Sequence, residues 1–221
     1  MMKFFEFDGP VFRFISTLVD LIFLNILIVI FSIPIITIGA AFTAGHFTAL
    51  KMRRGEGTIV KTFWKSFKMN FIQSTILEIV LAVLAIMTLF LVSVAGGDLE
   101  QMESLIHLFI LFFWVCIFFA AMWAFPLQAR FINPLLVTLR NAYGLSVRHM
   151  LRSIYMLIVY LLPIVLVLLN VKFISIVILF GVSGPIYISV LMYNKIFEKL
   201  EDDIKGVQLC EEEKENDLHG Q

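Results

Sequence analysis

Charge is what this chain lacks. Only 15% of its 221 residues are Asp, Glu, Lys or Arg, and five stretches carry almost none: Leu18–Ala41, Phe71–Ala95, Leu105–Phe125, Ile154–Leu169 and Phe173–Tyr193. A helix rising 1.5 Å per residue crosses a hydrocarbon core about 30 Å thick in about 20 residues, so each stretch reaches across, the fourth only just. A helix apolar all round must be buried all round, and a soluble domain of this length cannot bury five. The absence of charge therefore excludes a soluble globular protein and predicts an all-α, polytopic membrane helix bundle.

Other absences narrow the chemistry. Cysteine is nearly missing: Cys116 lies in an apolar stretch and Cys210 near the C-terminus, so a disulfide framework does not fit. The four histidines and two cysteines have no metal-ligand spacing, and no phosphate-binding loop or dinucleotide fingerprint occurs. No catalytic residue, cofactor or metal is predicted, and the chain reads as a non-enzyme. Gly181-Val182-Ser183-Gly184 matches the G-x-S-G of rhomboid proteases, but no histidine sits on a later membrane segment to partner the serine. Small residues followed by Pro185 read more simply as a kinked, closely packed helix.

What is present is strongly apolar. The chain is 60% hydrophobic with 23 phenylalanines, and its mean hydropathy is +0.95. The formal net charge is zero, but the basic residues are not spread evenly. Lys51, Arg53, Arg54, Lys61, Lys65 and Lys68 fall in one stretch, Arg130, Arg140, Arg148 and Arg152 in a second, and Lys195, Lys199, Lys205 and Lys214 after the last apolar run. The intervening loop Gly96–Ser104 carries only the acids Asp98, Glu100 and Glu103. With five crossings, the positive-inside rule puts the two basic stretches and the C-terminus in the cytoplasm and the N-terminus outside. A sixth crossing by Ile35–Leu50 is the rival and moves the N-terminus inside. Met1–Ile15 reads as an amphiphilic lead-in, since Glu6, Asp8, Gly9 and Pro10 interrupt any signal-peptide core.

Two basic blocks have helical periodicity. Between Thr58 and Phe71, Ile59, Val60, Phe63, Trp64, Phe67 and Phe71 share one side, and Lys61, Lys65 and Lys68 the other. This predicts an amphipathic helix in the headgroup plane, its lysines towards anionic lipid. In the second block, Asn133 is a candidate N-cap and Pro134 a first helical residue, and Leu135, Leu136, Leu139, Tyr143, Val147 and Met150 share a face. Ser66-Phe67-Lys68 and Ser146-Val147-Arg148 sit alike in the two blocks, which suggests an internal repeat. Basic residues distributed along lipid-proximal helices do not suit nucleic acid. The partners expected are the bilayer and another membrane protein.

Inside the apolar stretches the candidate polar residues are Asp20, Asn25 and Glu78. Intramembrane acids are functional candidates by default. Asp20 is expected near the outer end of the first helix and Glu78 two turns from the cytoplasmic end of the second, within reach of Arg148 or Arg152. The candidate helix breaks are Pro34, Gly39, Gly181, Gly184 and Pro185. Pro34 should kink or end its helix. The rows Ala41, Gly45, Ala49 and Ala40, Ala44, Thr48 permit close helix contact, so Ile35–Leu50 reads either as a tightly packed helix or as a broken helix lining a path. The terminal segment 198–221, with Glu211-Glu212-Glu213-Lys214-Glu215, is expected to be a mobile cytoplasmic tail after Gly206, apart from a membrane domain over residues 1–197.

Asp8-Gly9-Pro10, Asp20, Asn25, the run Ser32-Ile33-Pro34-Ile35-Ile36-Thr37-Ile38-Gly39-Ala40-Ala41 and the block from Phe63 to Thr75 together resemble the YesL family. So do Leu139-Arg140-Asn141-Ala142 and Leu145-Ser146-Val147-Arg148-His149. The most specific part runs from Asn25 through Ser32, Pro34, Thr37, Gly39 and Ala40, and the likeness extends over roughly residues 8 to 195. That family comprises small bacterial multi-pass membrane proteins of unknown function. The resemblance implies a plasma-membrane protein encoded beside sugar permeases, polysaccharide-degrading enzymes and sensor kinases, hence an accessory or regulatory role in carbohydrate uptake or sensing. It supplies no catalytic residue. A small oligomeric transporter or channel is the alternative.

Overall fold

A computed structural model describes residues 10–95, 103–131 and 133–219, and every regular element among them is helical. The acids Asp98 and Glu100 of the predicted external loop and the first nine residues of the lead-in lie outside the described residues. The helices are α1 (Pro10–Phe31), α2 (Ile38–Arg53), α3 (Ile59–Ala95), α4 (Glu103–Arg130), α5 (Leu135–Arg148), α6 (Met150–Leu169), α7 (Ile174–Phe180) and α8 (Ser183–His219). Five helical segments are individually long and apolar enough to cross a membrane: Val11–Phe31, Ile35–Arg53, Ile59–Phe90, Leu108–Arg130 and Met150–Leu169. Segments 171–180 and 183–206 form a further pair bent by 60° at Gly181–Val182. The chain is thus a polytopic helical membrane protein. Its spans differ in detail from the five apolar stretches, because Pro34 divides the first stretch and Gly181 bends the last.

α1 ends where proline chemistry requires it to end. Pro34 has no N–H and disfavours helical backbone at Ile33. The chain turns at Ser32, makes one 3-10 turn over Ile35–Thr37 and enters α2. Thr37 Oγ1 lies 2.5 Å from Phe31 O, a carbonyl that the broken helix leaves open, and 2.7 Å from Pro34 O, which also accepts from Thr37 N. α2 then runs back along α1. At its far end Gly55 and Gly57 adopt φ of +68° and +77°, the left-handed region that other residues avoid, and α3 begins. Lys51 pairs with Glu56 across this turn and holds the Glu56 carboxyl below the ordinary carboxylate range.

α2 is the most buried of the candidate spans. Gly39, Ala40, Ala41, Thr43, Ala44, Gly45, His46, Thr48, Ala49 and Leu50 are all buried, so both small-residue rows are packing surfaces. In lipid, helices gain little from apolar burial itself, and small side chains let backbones approach and dispersion contacts accumulate. Gly39 and Gly45 mark the closest approaches. A Cβ at Gly39 would stand 2.6 Å from Ser74 O, and one at Gly45 2.8 Å from Ile28 Cδ1. Of the two readings of Ile35–Leu50, tight packing is the one observed.

Two further details depart from the sequence reading. The Thr58–Phe71 block is not a separate interfacial helix. It is the first third of α3, and Phe63 and Phe67 are buried against Phe31 of α1, with ring centroids 5.5 and 5.0 Å away. The aromatic side therefore finds protein, where lipid was expected, because α1 ends beside it. The second block is a helix of its own, α5, but Pro134 is the cap residue and Asn133 precedes it. α5 buries Thr138, Ala142 and Ser146 and exposes Leu136, Tyr143 and Val147. Finally, α8 extends to His219 and so takes in most of the segment 198–221. Glu, Lys, Gln and Leu are good helix formers, and the one Gly in this part, Gly206, costs about 1 kcal/mol without ending the helix.

Candidate functional site

The polar groups that the sequence scatters over distant segments converge on α2 and α8. His46, wholly enclosed in α2, lies between two tyrosines. Its Nδ1 is 3.0 Å from Tyr193 Oη of α8, and its Nε2 is 3.1 Å from Tyr160 Oη of α6. Tyr160 Oη also lies 3.3 Å from Ser189 Oγ, which donates to Ile186 O at 2.7 Å. One arrangement satisfies every member. Ser189 donates to the backbone and accepts from Tyr160, Tyr160 accepts from Nε2–H of His46, and Nδ1 of His46 accepts from Tyr193. This tautomer follows from the network, since buried donors and acceptors must be partnered. Beside it a cavity of about 280 Å³ is lined by His46, Tyr160, Phe42, Phe118, Phe125 and Ile164. The exposed Phe118 and Ile164 place its mouth on the apolar flank of α4 and α6.

Sequence reasoning had His46 in a cytoplasmic stretch and missed this cluster. The available signal was a histidine set among Ala41, Gly45 and Ala49, the small residues of a tightly packed helix. The two tyrosines give no local signal, because their partner is more than a hundred residues away.

Asn25 sits on α1 opposite the α7–α8 bend. Its Nδ2 donates to Ile178 O at 2.8 Å, and its Oδ1 accepts from Val182 N at 3.0 Å and Ser183 N at 2.9 Å. Ile178 O and Val182 N would have bonded each other in an unbroken helix, so one amide side chain replaces the ladder at the break. Gly181 is required at the bend, as a Cβ there would stand 2.3 Å from Val177 O. Gly184 has looser surroundings, with the nearest atom 3.7 Å from a built Cβ, and Pro185 follows in the first turn of α8. The Ser183 hydroxyl is buried and has no hydrogen-bond partner among the described residues, and His46 bonds to tyrosines.

Glu78 is not paired with Arg148 or Arg152. Its Oε2 accepts from Gly39 N at 2.8 Å, at the start of α2, where Thr37 provides no side-chain cap. A carboxylate there meets both an open amide and the positive end of the helix dipole. One turn on, Ser74 donates to Thr43 at 2.9 Å. Asp20 is not at the opposite end from the first basic stretch. It lines a cavity of about 470 Å³ with Met52 and the turn residues from Gly55 to Val60. α1 and α2 are an antiparallel hairpin, and an α1 residue near that end cannot lie across the membrane from the turn. Lys61, Lys65 and Lys68 are exposed along α3, and Lys68 Nζ lies 4.7 Å from the Trp64 ring centroid.

Near the basic end, Arg130 at the close of α4 is buried and clamped. Its Nε and Nη2 donate to both carboxylate oxygens of Glu201, at 2.5 and 2.7 Å, and its Nη1 to Asn194 Oδ1 at 2.9 Å. Asn194 donates in turn to Glu198. Bidentate pairing of this kind fixes orientation as well as distance.

These features define a class: a helical membrane protein whose core is one small-residue helix, with the breaks in its spans bridged by side chains of neighbouring helices. A family model described as "Protein of unknown function, DUF624" matches residues 21–93, from the middle of α1 almost to the end of α3. The match takes in Asn25, Pro34, Gly39, His46 and Glu78, whereas Tyr160, Tyr193 and the break that Asn25 bridges lie outside it. No curated protein and no solved structure matches the chain.

Proposed function

We propose that this protein is a non-enzymatic component of the bacterial plasma membrane that acts on another membrane protein as an accessory or regulatory subunit. Its likeness to the YesL family suggests carbohydrate uptake or sensing as the setting, with a sugar permease or a membrane sensor as the partner. The observation that carries this reading is the occupancy of the helix breaks. The two places where a substrate path was conceivable are held by Asn25 and by Glu78 on Gly39. Transport sites at broken helices leave such backbone groups facing a cavity.

The basic end of the bundle faces the cytoplasm in this proposal. An external N-terminus accompanies five crossings. The cavity shared by Asp20 and the Gly55–Thr58 turn favours the six-crossing alternative, with α2 spanning and both termini cytoplasmic.

A second reading, a small transporter or channel acting as an oligomer, draws on the His46–Tyr160 cavity. Gentle-detergent purification with partner identification, combined with solute uptake in a deletion strain, separates the two. Co-purification of one membrane protein in stoichiometric amount, with its activity altered by the deletion, supports the accessory role. Recovery of the protein alone, with uptake lost on deletion and again in a folded His46→Ala variant, overturns it.

A further inference from the structure

A further polar cavity in the basic half belongs to none of the groups above. It measures about 410 Å³ and lies between α5 and α8 beside the end of α4. Arg140, Gly144 and Arg148 line it at four-residue intervals, so each arginine stands about 6 Å along the helix axis from the glycine between them. A Cβ at Gly144 would meet nothing within 4 Å. No neighbouring element requires glycine there. Its effect is to leave a notch between two guanidinium-bearing side chains, with Asn141 and Asn133 adding amide groups. The remaining wall is apolar, with Leu145 on α5 and Leu200 and Ile204 on α8.

Neither Arg140 nor Arg148 takes part in an ion pair among the described residues, whereas nearby Arg130 has Glu201. Among the side chains described, no acid pairs with this positive charge, and His149 at the end of α5 registers it. Burial, and then Arg152 and Arg148, hold its imidazole below the ordinary histidine range. The flank of α5 next to this arginine row exposes Leu136, Tyr143 and Val147, and Leu151 at the start of α6 is exposed as well, while the face opposite the row buries Thr138, Ala142 and Ser146. A helix whose exposed apolar flank adjoins a row of arginines suits the level where acyl chains meet headgroups.

We infer that the Arg140–Gly144–Arg148 notch is a binding site for the phosphate of an anionic membrane phospholipid, with an acyl chain along Leu145, Leu200 and Ile204. Guanidinium groups bind phosphate through paired hydrogen bonds, and basic pockets between membrane helices at the cytoplasmic side suit acidic headgroups. The source is the bilayer, because the apolar wall adjoins the charged notch and a soluble phosphate has no use for it.

The full chain, purified in mild detergent, is titrated with phosphatidylglycerol or phosphatidylcholine, and bound lipid is counted by native mass spectrometry. Phosphatidylglycerol should bind preferentially. Arg140→Gln/Arg148→Gln and, separately, Gly144→Leu should each weaken it by about tenfold or more, the scale of one lost charged hydrogen bond. Lys61→Gln/Lys65→Gln/Lys68→Gln should stay within about twofold, since those lysines lie outside the notch. Gly144→Leu fills the notch at an open position, keeps both charges and raises helix propensity, so it decides the matter alone if the double variant fails to fold. Equal binding of the two lipids, or unweakened phosphatidylglycerol binding in Gly144→Leu, overturns the proposal. So does displacement of the lipid by glycerol phosphate at equal concentration, which would make the notch a site for a soluble anion.

Discussion

The Glu78 carboxylate of α3 accepts a hydrogen bond from the Gly39 amide at the start of α2, 2.8 Å away. A side chain from one helix thus does for its neighbour what a serine or aspartate at the N-cap usually does from within. Removal of a cap costs about 0.5–2 kcal/mol, and a charged acceptor falls towards the upper end. Glu78→Ala should therefore lower the thermal unfolding midpoint in detergent clearly more than Glu78→Gln, whose amide oxygen can still accept from Gly39. Equal loss in the two variants would show that the carboxylate acts in some other way.

Glycines at the helix breaks should separate into two kinds. Gly39→Ala places a Cβ 2.6 Å from a backbone oxygen that cannot rotate away, so α2 and α3 must part. Gly184→Ala introduces an ordinary contact at 3.7 Å and improves helix propensity by about 0.5–1 kcal/mol. Thermal midpoints should fall for the first and hold or rise for the second.

Asn25 makes its three bonds to backbone atoms of Ile178, Val182 and Ser183, so its loss should be felt on the other side of the bundle. In Asn25→Leu these groups are left unpartnered, at about 1–3 kcal/mol for each buried one. Hydrogen–deuterium exchange should accelerate at the Val182 and Ser183 amides while the centre of α2 stays protected. Asn25→Asp keeps the acceptor and should fall between. Unchanged exchange at those two amides in Asn25→Leu would refute the bridging role.

His149 makes stability depend on pH. Its folded pKa lies below the ordinary value near 6.5, chiefly through burial and then through Arg152 and Arg148. The unfolded chain therefore binds more protons in the window just below that value, and stability rises with pH there. The contribution is present above the ordinary histidine range and is lost on acidification. His149→Gln should show a smaller drop in midpoint between neutral pH and mildly acidic pH than the unmodified protein.

The hairpin of α1 and α2 can be checked by labelling. With Cys116 and Cys210 replaced, single cysteines at Phe14 and Glu56 should react with a membrane-impermeant reagent from the same side of sealed vesicles. Both positions lie towards the end of the hairpin where Asp20 and the turn share a cavity. Labelling from opposite sides would restore five crossings.

Much of this architecture was legible because lipid imposes simple rules on a chain. Apolar length gave the spans of α3, α4 and α6, and Pro34 and Gly181 marked the breaks without reference to any partner. Pairing was hidden. Asn25 reads as a polar residue in an apolar helix until the chain returns about 150 residues later with a bend opposite it. Glu78 suggested arginines because charge pairs are what one-dimensional reasoning can propose, yet a backbone amide took the place. The aromatic side of the Thr58–Phe71 block has the same periodicity whether lipid or Phe31 covers it, so sequence could not choose between them. The His46 cluster needs three helices to exist at all.

The burial of α2 bears on how the chain enters the bilayer during synthesis. It is the least apolar of the candidate spans, and it carries His46, whose hydrogen-bond partners lie on later helices. Tyr160 and Tyr193, which complete the shell around His46, emerge from the ribosome more than a hundred residues after it. Until then α2 has α1 and α3 for company, and polar groups in hydrocarbon seek whatever partner is near. The nascent hairpin is therefore the stage at which this protein most depends on an insertase or chaperone, and a truncation after Ala95 should be degraded faster than one after Phe197.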